Sequence, residues 1–236
     1  MMRGVWDRET VALLLVAAML PLAVTWLLAS GTAGLLRLVL VLAAAGLWHV
    51  VFMLARAQPP SFAGALTALA IAILAPVDLG PIPMLLGISF GVVASELAFG
   101  GWGRNVVNPA AVAVAFLGFG FPAAAWPVLP VQLGWSVAAV AAIGALTGVM
   151  SWRIVAGAAA VLAAGWQGLA LAVPVLTAAA VVLVMLVCDP VASAATSAGR
   201  WLCGLLYGLL VVLFASAWTG AAPVQARKPA RQRQEG

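Results

Sequence analysis

The sequence predicts an all-α polytopic membrane protein of about nine transmembrane or partial helices. Three observations carry that expectation. Of 236 residues, 66% are apolar and only 7% charged, where soluble domains carry about 25% charged side chains. The mean hydropathy is +1.19. The apolar residues also come as long runs of Ala, Val and Leu, unlike the short alternating strands of an outer-membrane barrel. The same composition excludes a disordered chain, and Cys188 and Cys203 are too few for a disulfide scaffold.

About 20 apolar residues cross the roughly 30 Å hydrocarbon layer. The first run, 11–28, follows a polar start holding Arg3, Asp7, Arg8 and Glu9. No small-residue cleavage site follows it, so it reads as a helix and not as a removed signal peptide. The run 35–54 contains Arg37, placed to snorkel from a helix end, and His49, read as a packed histidine. The run 62–76 stops at Pro76, and 83–99 holds Glu96 close to its end. The next, 108–121, opens on Asn108-Pro109; 134–150 follows, and 154–165 runs into Gly165. The last two are 169–187, which precedes Cys188-Asp189-Pro190, and 201–219. Several are too short to span alone. Such segments imply discontinuous helices whose freed backbone groups line a protein-enclosed cavity. Residues 1–221 form one transmembrane domain on this reading, and 222–236 a basic disordered tail.

Loop charges set the expected orientation. With the N-terminus in the cytoplasm, Arg56, Arg104, Arg153 and Arg200 share the cytoplasmic side, while 77–82 and 122–133 hold no Lys or Arg. Nine full crossings would put the tail outside, so one segment is re-entrant or a final crossing is missing. The net charge of +5 does not indicate nucleic acid, because the cations form no patch. Four lie in the tail (Arg227, Lys228, Arg231, Arg233), where they can meet anionic lipid headgroups. The ten tryptophans mostly fall near helix ends and read as an interfacial belt. The cysteines, fifteen apart with no C-x-x-C, read as inert packing residues, and no metal site is expected.

Two polar breaks and one acid stand out. Gly100-Gly101-Trp102-Gly103-Arg104-Asn105-Val106-Val107-Asn108-Pro109-Ala110-Ala111 must leave helical geometry at the membrane face. Its Pro suits the first turn of the next helix, whose N-terminus, with Arg104, favours an anion or a polarised carbonyl. Cys188-Asp189-Pro190-Val191, followed by Ser193, Thr196, Ser197, Gly199 and Arg200, places a carboxylate at a second break. Glu96 at mid-membrane would cost about 2.5–3.5 kcal/mol, so it calls for a partner or cavity unless a helix end solvates it.

The first stretch, from Phe99, resembles the G-G-x-G-x-N-x-x-N-P-A-A signature of the NqrB/RnfD family, whose members are membrane components of Rnf complexes and of sodium-pumping NADH:quinone reductases. Phe62 to Pro76, Ser151-Trp152-Arg153-Ile154, and Asp189-Pro190-Val191 with Gly199-Arg200-Trp201 and Gly204 resemble its other stretches in the same order. The resemblance covers roughly 60–215. It implies a urea-transporter-like bundle of two inverted five-helix repeats, here about 11–121 and an incomplete 134–219. It implies an inner-membrane subunit that, with other membrane subunits, couples flavin-mediated electron transfer to Na⁺ or H⁺ movement. Gly100, Gly101, Gly103, Arg104, Asn105 and Asn108 would then contact a noncovalent flavin (FMN or riboflavin) or a quinone, and Glu96 and Asp189 would belong to the ion path. The family carries FMN on a threonine between the repeats. Here that connection, 122–133, has no threonine, and Ser193-Ala194-Ala195-Thr196 imitates the tetrad at another position, so covalent FMN is not expected. The family's G-E-T-S stretch is replaced by Leu133-Gly134-Trp135-Ser136, and its last crossing is missing. Two other readings stay open: a solute channel or transporter of the same fold without redox chemistry, and a structural subunit.

Overall fold

A computed structural model describes residues 7–56, 61–169 and 171–226. The described residues form eight α-helices: α1 (Arg8–Arg56), α2 (Ala63–Leu74), α3 (Pro81–Ser95), α4 (Pro109–Gly120), α5 (Leu133–Leu146), α6 (Trp152–Leu169), α7 (Val173–Val182) and α8 (Ser197–Ala226). A 3₁₀ turn, Leu97–Phe99, follows α3, and a π turn, Leu183–Val187, extends α7. The molecule is a helical membrane protein, as the composition requires.

The runs 11–28 and 35–54 fall in the single element α1, broken at Gly31, whose φ of 61° and ψ of −146° are open to glycine and strained for other residues. The chain reverses there. Glu9 Oε2 accepts from the Phe62 N–H while His49 packs on Gly64, so both outer ends of α1 meet the start of α2. Near the bend, Trp26 and Arg37 instead line a cavity beyond the end of α2.

By length and apolarity three described elements can cross a membrane: Arg8–Ala55, Pro81–Phe99 and Ser197–Ala217. Four others, Ala63–Leu74, Pro109–Gly120, Leu133–Leu146 and Val173–Val187, are apolar but shorter. Local chemistry fixes several ends. Pro174 near its start opens α7, Gly148 at φ 75° follows the end of α5, and the Thr196 hydroxyl accepts from the Gly199 N–H to cap α8. That cap starts α8 four residues before the expected 201. At its other end α8 runs to Ala226. Residues 227–236 lie outside the described residues.

Small residues let the helices close. α3 lies antiparallel on α4, where a Cβ on Gly91 would fall 2.5 Å from Ala113 Cβ and 2.7 Å from the Pro109 carbonyl oxygen. α6 and α8 run parallel, with Gly204 against Ile154 and Gly208 against Ala158 and Val161. The pair Gly204-x-x-x-Gly208 is thus a true helix contact, whereas Gly144 packs on Met150 of its own loop.

Candidate functional site

The two polar breaks meet. Asn108 is the N-cap of α4: its Oδ1 accepts from the Ala110 N–H at 2.9 Å and the Ala111 N–H at 3.2 Å, satisfying donors the first helical turn leaves open. Its Nδ2 donates to Asp189 Oδ2 at 2.9 Å, 81 residues away. Asp189 Oδ1 accepts from the Val191 N–H at 3.0 Å, folding the break before α8. One asparagine therefore caps one broken segment and holds the acid of the other.

Around that contact, Thr67 and Ala70 of α2, Trp102, Pro109, Cys188 and Pro190 enclose a cavity of about 30 Å³. Asp189 lies in the link between the apolar helices 173–187 and 197–217, outside both. Burial pushes its carboxyl above the usual range, opposed by the Val191 N–H and by Asn108; the charge of Glu96 pushes it further up.

The glycine-rich loop folds over this contact from the side where α1 begins. Gly100, Gly101 and Gly103 take φ of 103°, 90° and 92°. These left-handed turns explain the residue type. Asn105 is buried and serves the loop itself: Oδ1 accepts from the Gly103 N–H at 3.2 Å and Nδ2 donates to the Val107 carbonyl at 3.4 Å. Arg8 Nη1 donates to the Trp102 carbonyl at 3.0 Å, tying α1 to the loop. A Cβ on Gly100 would meet the Arg104 side chain at 3.1 Å, and one on Gly103 would meet Arg8 at 3.0 Å. This chain's own arginines fill the space beside both glycines.

Glu96, at the end of α3, is fully buried. Its Oε1 is 3.2 Å from His49 Nε2, and its Oε2 has no hydrogen-bond partner among the described residues. His49, read from the sequence as a packing residue, is the partner Glu96 needs. A lone histidine gives no motif, and the acid it meets is 47 positions away; the only signal was a second costly polar group in an apolar helix. The structure departs from the sequence reading at other side chains too. Arg37 does not snorkel outward but donates to the Ala75 carbonyl at the end of α2. Trp26 and Trp102 are 5% and 6% exposed, inside the bundle and not in a belt; Trp6 lies outside the described residues. Cys188 is buried, Cys203 is half-buried, and both are free thiols.

A second, larger cavity of about 530 Å³ opens at the opposite end, between Trp26, Arg37, Met84 and the Pro127–Pro130 loop. Flavins and quinones need pockets of about 300–1,000 Å³, so the 30 Å³ space at the breaks fits water or one bare ion and no ring system.

The NQR2, RnfD, RnfE family profile matches residues 2–138, a range that includes α1 to α4, the glycine-rich loop, Glu96 and Asn108. This chain belongs to that family. Among curated proteins it is 27% identical to the B component of the Na(+)-translocating NADH-quinone reductase of Ectopseudomonas mendocina (strain ymp), over 71% of this chain and 56% of the relative. The corresponding protein of Pseudomonas paraeruginosa is 28% identical with the same coverage. That of Klebsiella pneumoniae (strain 342) is 41% identical over 33% of this chain and 19% of the relative. The chain spans about half the length of the first two of these relatives. Membership places it among membrane proteins of ion transport and electron transport.

Proposed function

We propose that this chain is an inner-membrane subunit of an Rnf/Nqr-type electron transport complex and forms part of its Na⁺ or H⁺ path. The observation that carries the reading is the Asn108–Asp189 bond at 2.9 Å, with the ion-sized cavity beside it. Two breaks 81 residues apart converge on one acid. In each half an apolar helix loses α geometry just before its break, by a 3₁₀ turn at 97–99 and a π turn at 183–187. That likeness supports two inverted repeats, about 11–121 and 134–219, of urea-transporter-like form. Asp189 and Glu96 are the acids of the ion path; Asn108 orients Asp189.

A noncovalent flavin or quinone, when bound, supplies the electron-carrying chemistry. No step is assigned to it inside the bundle, because the space at the breaks admits no ring. Its place in this reading is the outer face of the loop, where Phe99, Gly103, Arg104, Val106 and Val107 are exposed, against a neighbouring membrane protein of the complex. There Arg104 offers a cation to a reduced ring or carbonyl oxygen. The N-terminus and the ends carrying Arg8, Arg104, Arg153 and Arg200 face the cytoplasm, in keeping with the positive-inside rule. The ion-sized space where the breaks meet offers a larger solute no passage at that point.

The test is purification of the native complex through this chain, followed by redox-driven ion uptake in proteoliposomes. Co-purifying redox subunits, with uptake reduced at least tenfold by Asn108→Ala, are expected. A chain that purifies alone, or uptake unchanged in that variant, overturns the reading.

A further inference from the structure

The half-buried His49 and the fully buried Glu96 form a pair whose chemistry bears on which ion the acid can hold. His49 Nδ1 lies 2.9 Å from the Ala45 carbonyl oxygen. A carbonyl only accepts, so Nδ1 carries a hydrogen wherever this bond is kept. The ring's other nitrogen, Nε2, faces Glu96 Oε1 at 3.2 Å. Two arrangements satisfy it: a protonated carboxyl donating to bare Nε2, or an imidazolium donating to a carboxylate. Both place one proton between the residues, and both are neutral overall. Carboxylate against neutral imidazole would set two lone pairs against each other, and no donor among the described residues reaches Oε2 to offset the charge. A buried charge of that kind is costly.

We propose that His49 and Glu96 share one proton and that this pair makes Glu96 a proton-binding station that rejects sodium. The proposal rests on the ion-path reading above and names its ion at this position. Hard cations take shells of oxygen ligands. Here Oε1 is engaged by a ring nitrogen, and among the described residues no group of three or more His, Cys, Asp or Glu side chains stands together to complete such a shell. Oε2 is the open position. A proton taken up there converts the imidazolium–carboxylate pair to imidazolium and carboxylic acid; its release restores the pair, so protons balance and no oxidant or reductant is needed.

The surroundings favour this chemistry. The helices packed most heavily on α1, namely α2, α3 and α5, contain no titratable side chain. On α1 itself Arg8 bonds the Trp102 carbonyl and Glu9 accepts from the Phe62 N–H. Arg104 lies over Gly100, and the other acid in electrostatic reach is Asp189.

His49 is the chain's one histidine, so histidine labelled with ¹⁵N reports this site alone. The experiment is solid-state NMR of the labelled full chain in liposomes, in potassium and in sodium buffers at fixed pH. We expect a protonated Nδ1 and a proton shared at Nε2, with no shift between the two buffers. Glu96→Gln should collapse Nε2 to an ordinary unprotonated imidazole signal. An unshared Nε2 in the unmodified chain, or a shift of either nitrogen with sodium at constant pH, overturns the proposal. The sodium comparison needs no variant, so it decides even where Glu96→Gln fails to insert. Absence of partner subunits would defeat the complex reading and leave this spectrum unchanged, which separates the two failures.

Discussion

Asn108 performs two tasks with one amide, and substitutions can separate them. Asn108→Ala removes a helix cap, worth about 1 kcal/mol, and a hydrogen bond to an acid, worth about 1.5–3 kcal/mol. Asn108→Asp keeps the capping oxygen but sets a carboxylate against Asp189 at a distance of 2.9 Å. Thermal melting in detergent or nanodiscs should therefore rank the unmodified chain above both variants, with the aspartate variant recovering as the medium is acidified. Asp189 gives a pH dependence of its own. Its folded carboxyl holds its proton more tightly than a free one, so its contribution is fully present below the ordinary value of about 3.9 and is lost as pH rises through the raised value. Asp189→Asn should flatten that fall in melting temperature while keeping an oxygen for Asn108. At this scale the sequence exposed only part of the site. Asn108 and Asp189 were legible because polar residues beside glycine and proline interrupt apolar runs. Their bond was not, since spacing carries no information about which distant breaks meet. Glu96 was legible as an energetic anomaly; His49 was not, because one imidazole in an apolar helix has no pattern.

Helix contacts in this protein depend on places where a side chain has no room. A Cβ on Gly204 would run into the Ile154 carbonyl, across the most extensive helix pairing among the described residues. Overpacking of this kind costs about 1–3 kcal/mol. Gly204→Leu should lower the melting temperature and loosen α8 from α6, read as faster proteolysis of the C-terminal half, whereas Gly168→Ala, where a Cβ meets nothing within 4 Å, should not. Thr196→Ala removes the α8 cap at a cost of about 1 kcal/mol; in-gel flavin fluorescence of the denatured chain should be the same with and without it. Helix positions were the most legible feature, because long apolar runs fix them, and the ends were the least. The start of α8 depends on the Thr196 hydroxyl, and the division of α1 depends on a single glycine among alanine, serine and threonine, neither of which hydropathy records.

Across the whole molecule the charged ends sort by side. Trp152 packs edge-on against Trp201 at 5.6 Å, bringing the neighbouring Arg153 and Arg200 to one end, while the Pro127–Pro130 loop borders the cavity at the other. The variants Arg104→Cys and Val128→Cys, each made in a chain with Cys203 replaced, should test the orientation; Val128 is 85% exposed. A membrane-impermeant thiol reagent should label position 128 from outside in intact cells and position 104 only in inverted vesicles. Labelling in the reverse order would turn the topology over. Composition alone made the membrane class legible; the glycine-asparagine signature made the family legible; the large cavity near Arg37 was not, because its walls come from α1, α2, α3 and a proline-rich loop with no shared motif.

The twelve-residue helices α2 and α4 have a further consequence. At 1.5 Å per residue each is about 18 Å long, well short of the hydrocarbon thickness. Neither can leave the translocon sideways as an independent unit. Each relies on the longer neighbour made just before it, α1 for α2 and α3 for α4, to shield its ends. The Asn108–Asp189 bond closes late in synthesis, once the chain has grown past Asp189, and α4 depends until then on its cap and on α3. Biogenesis of this protein therefore hands each short helix to a neighbour already made, and a chain truncated before the second break should insert without the contact that joins the two breaks.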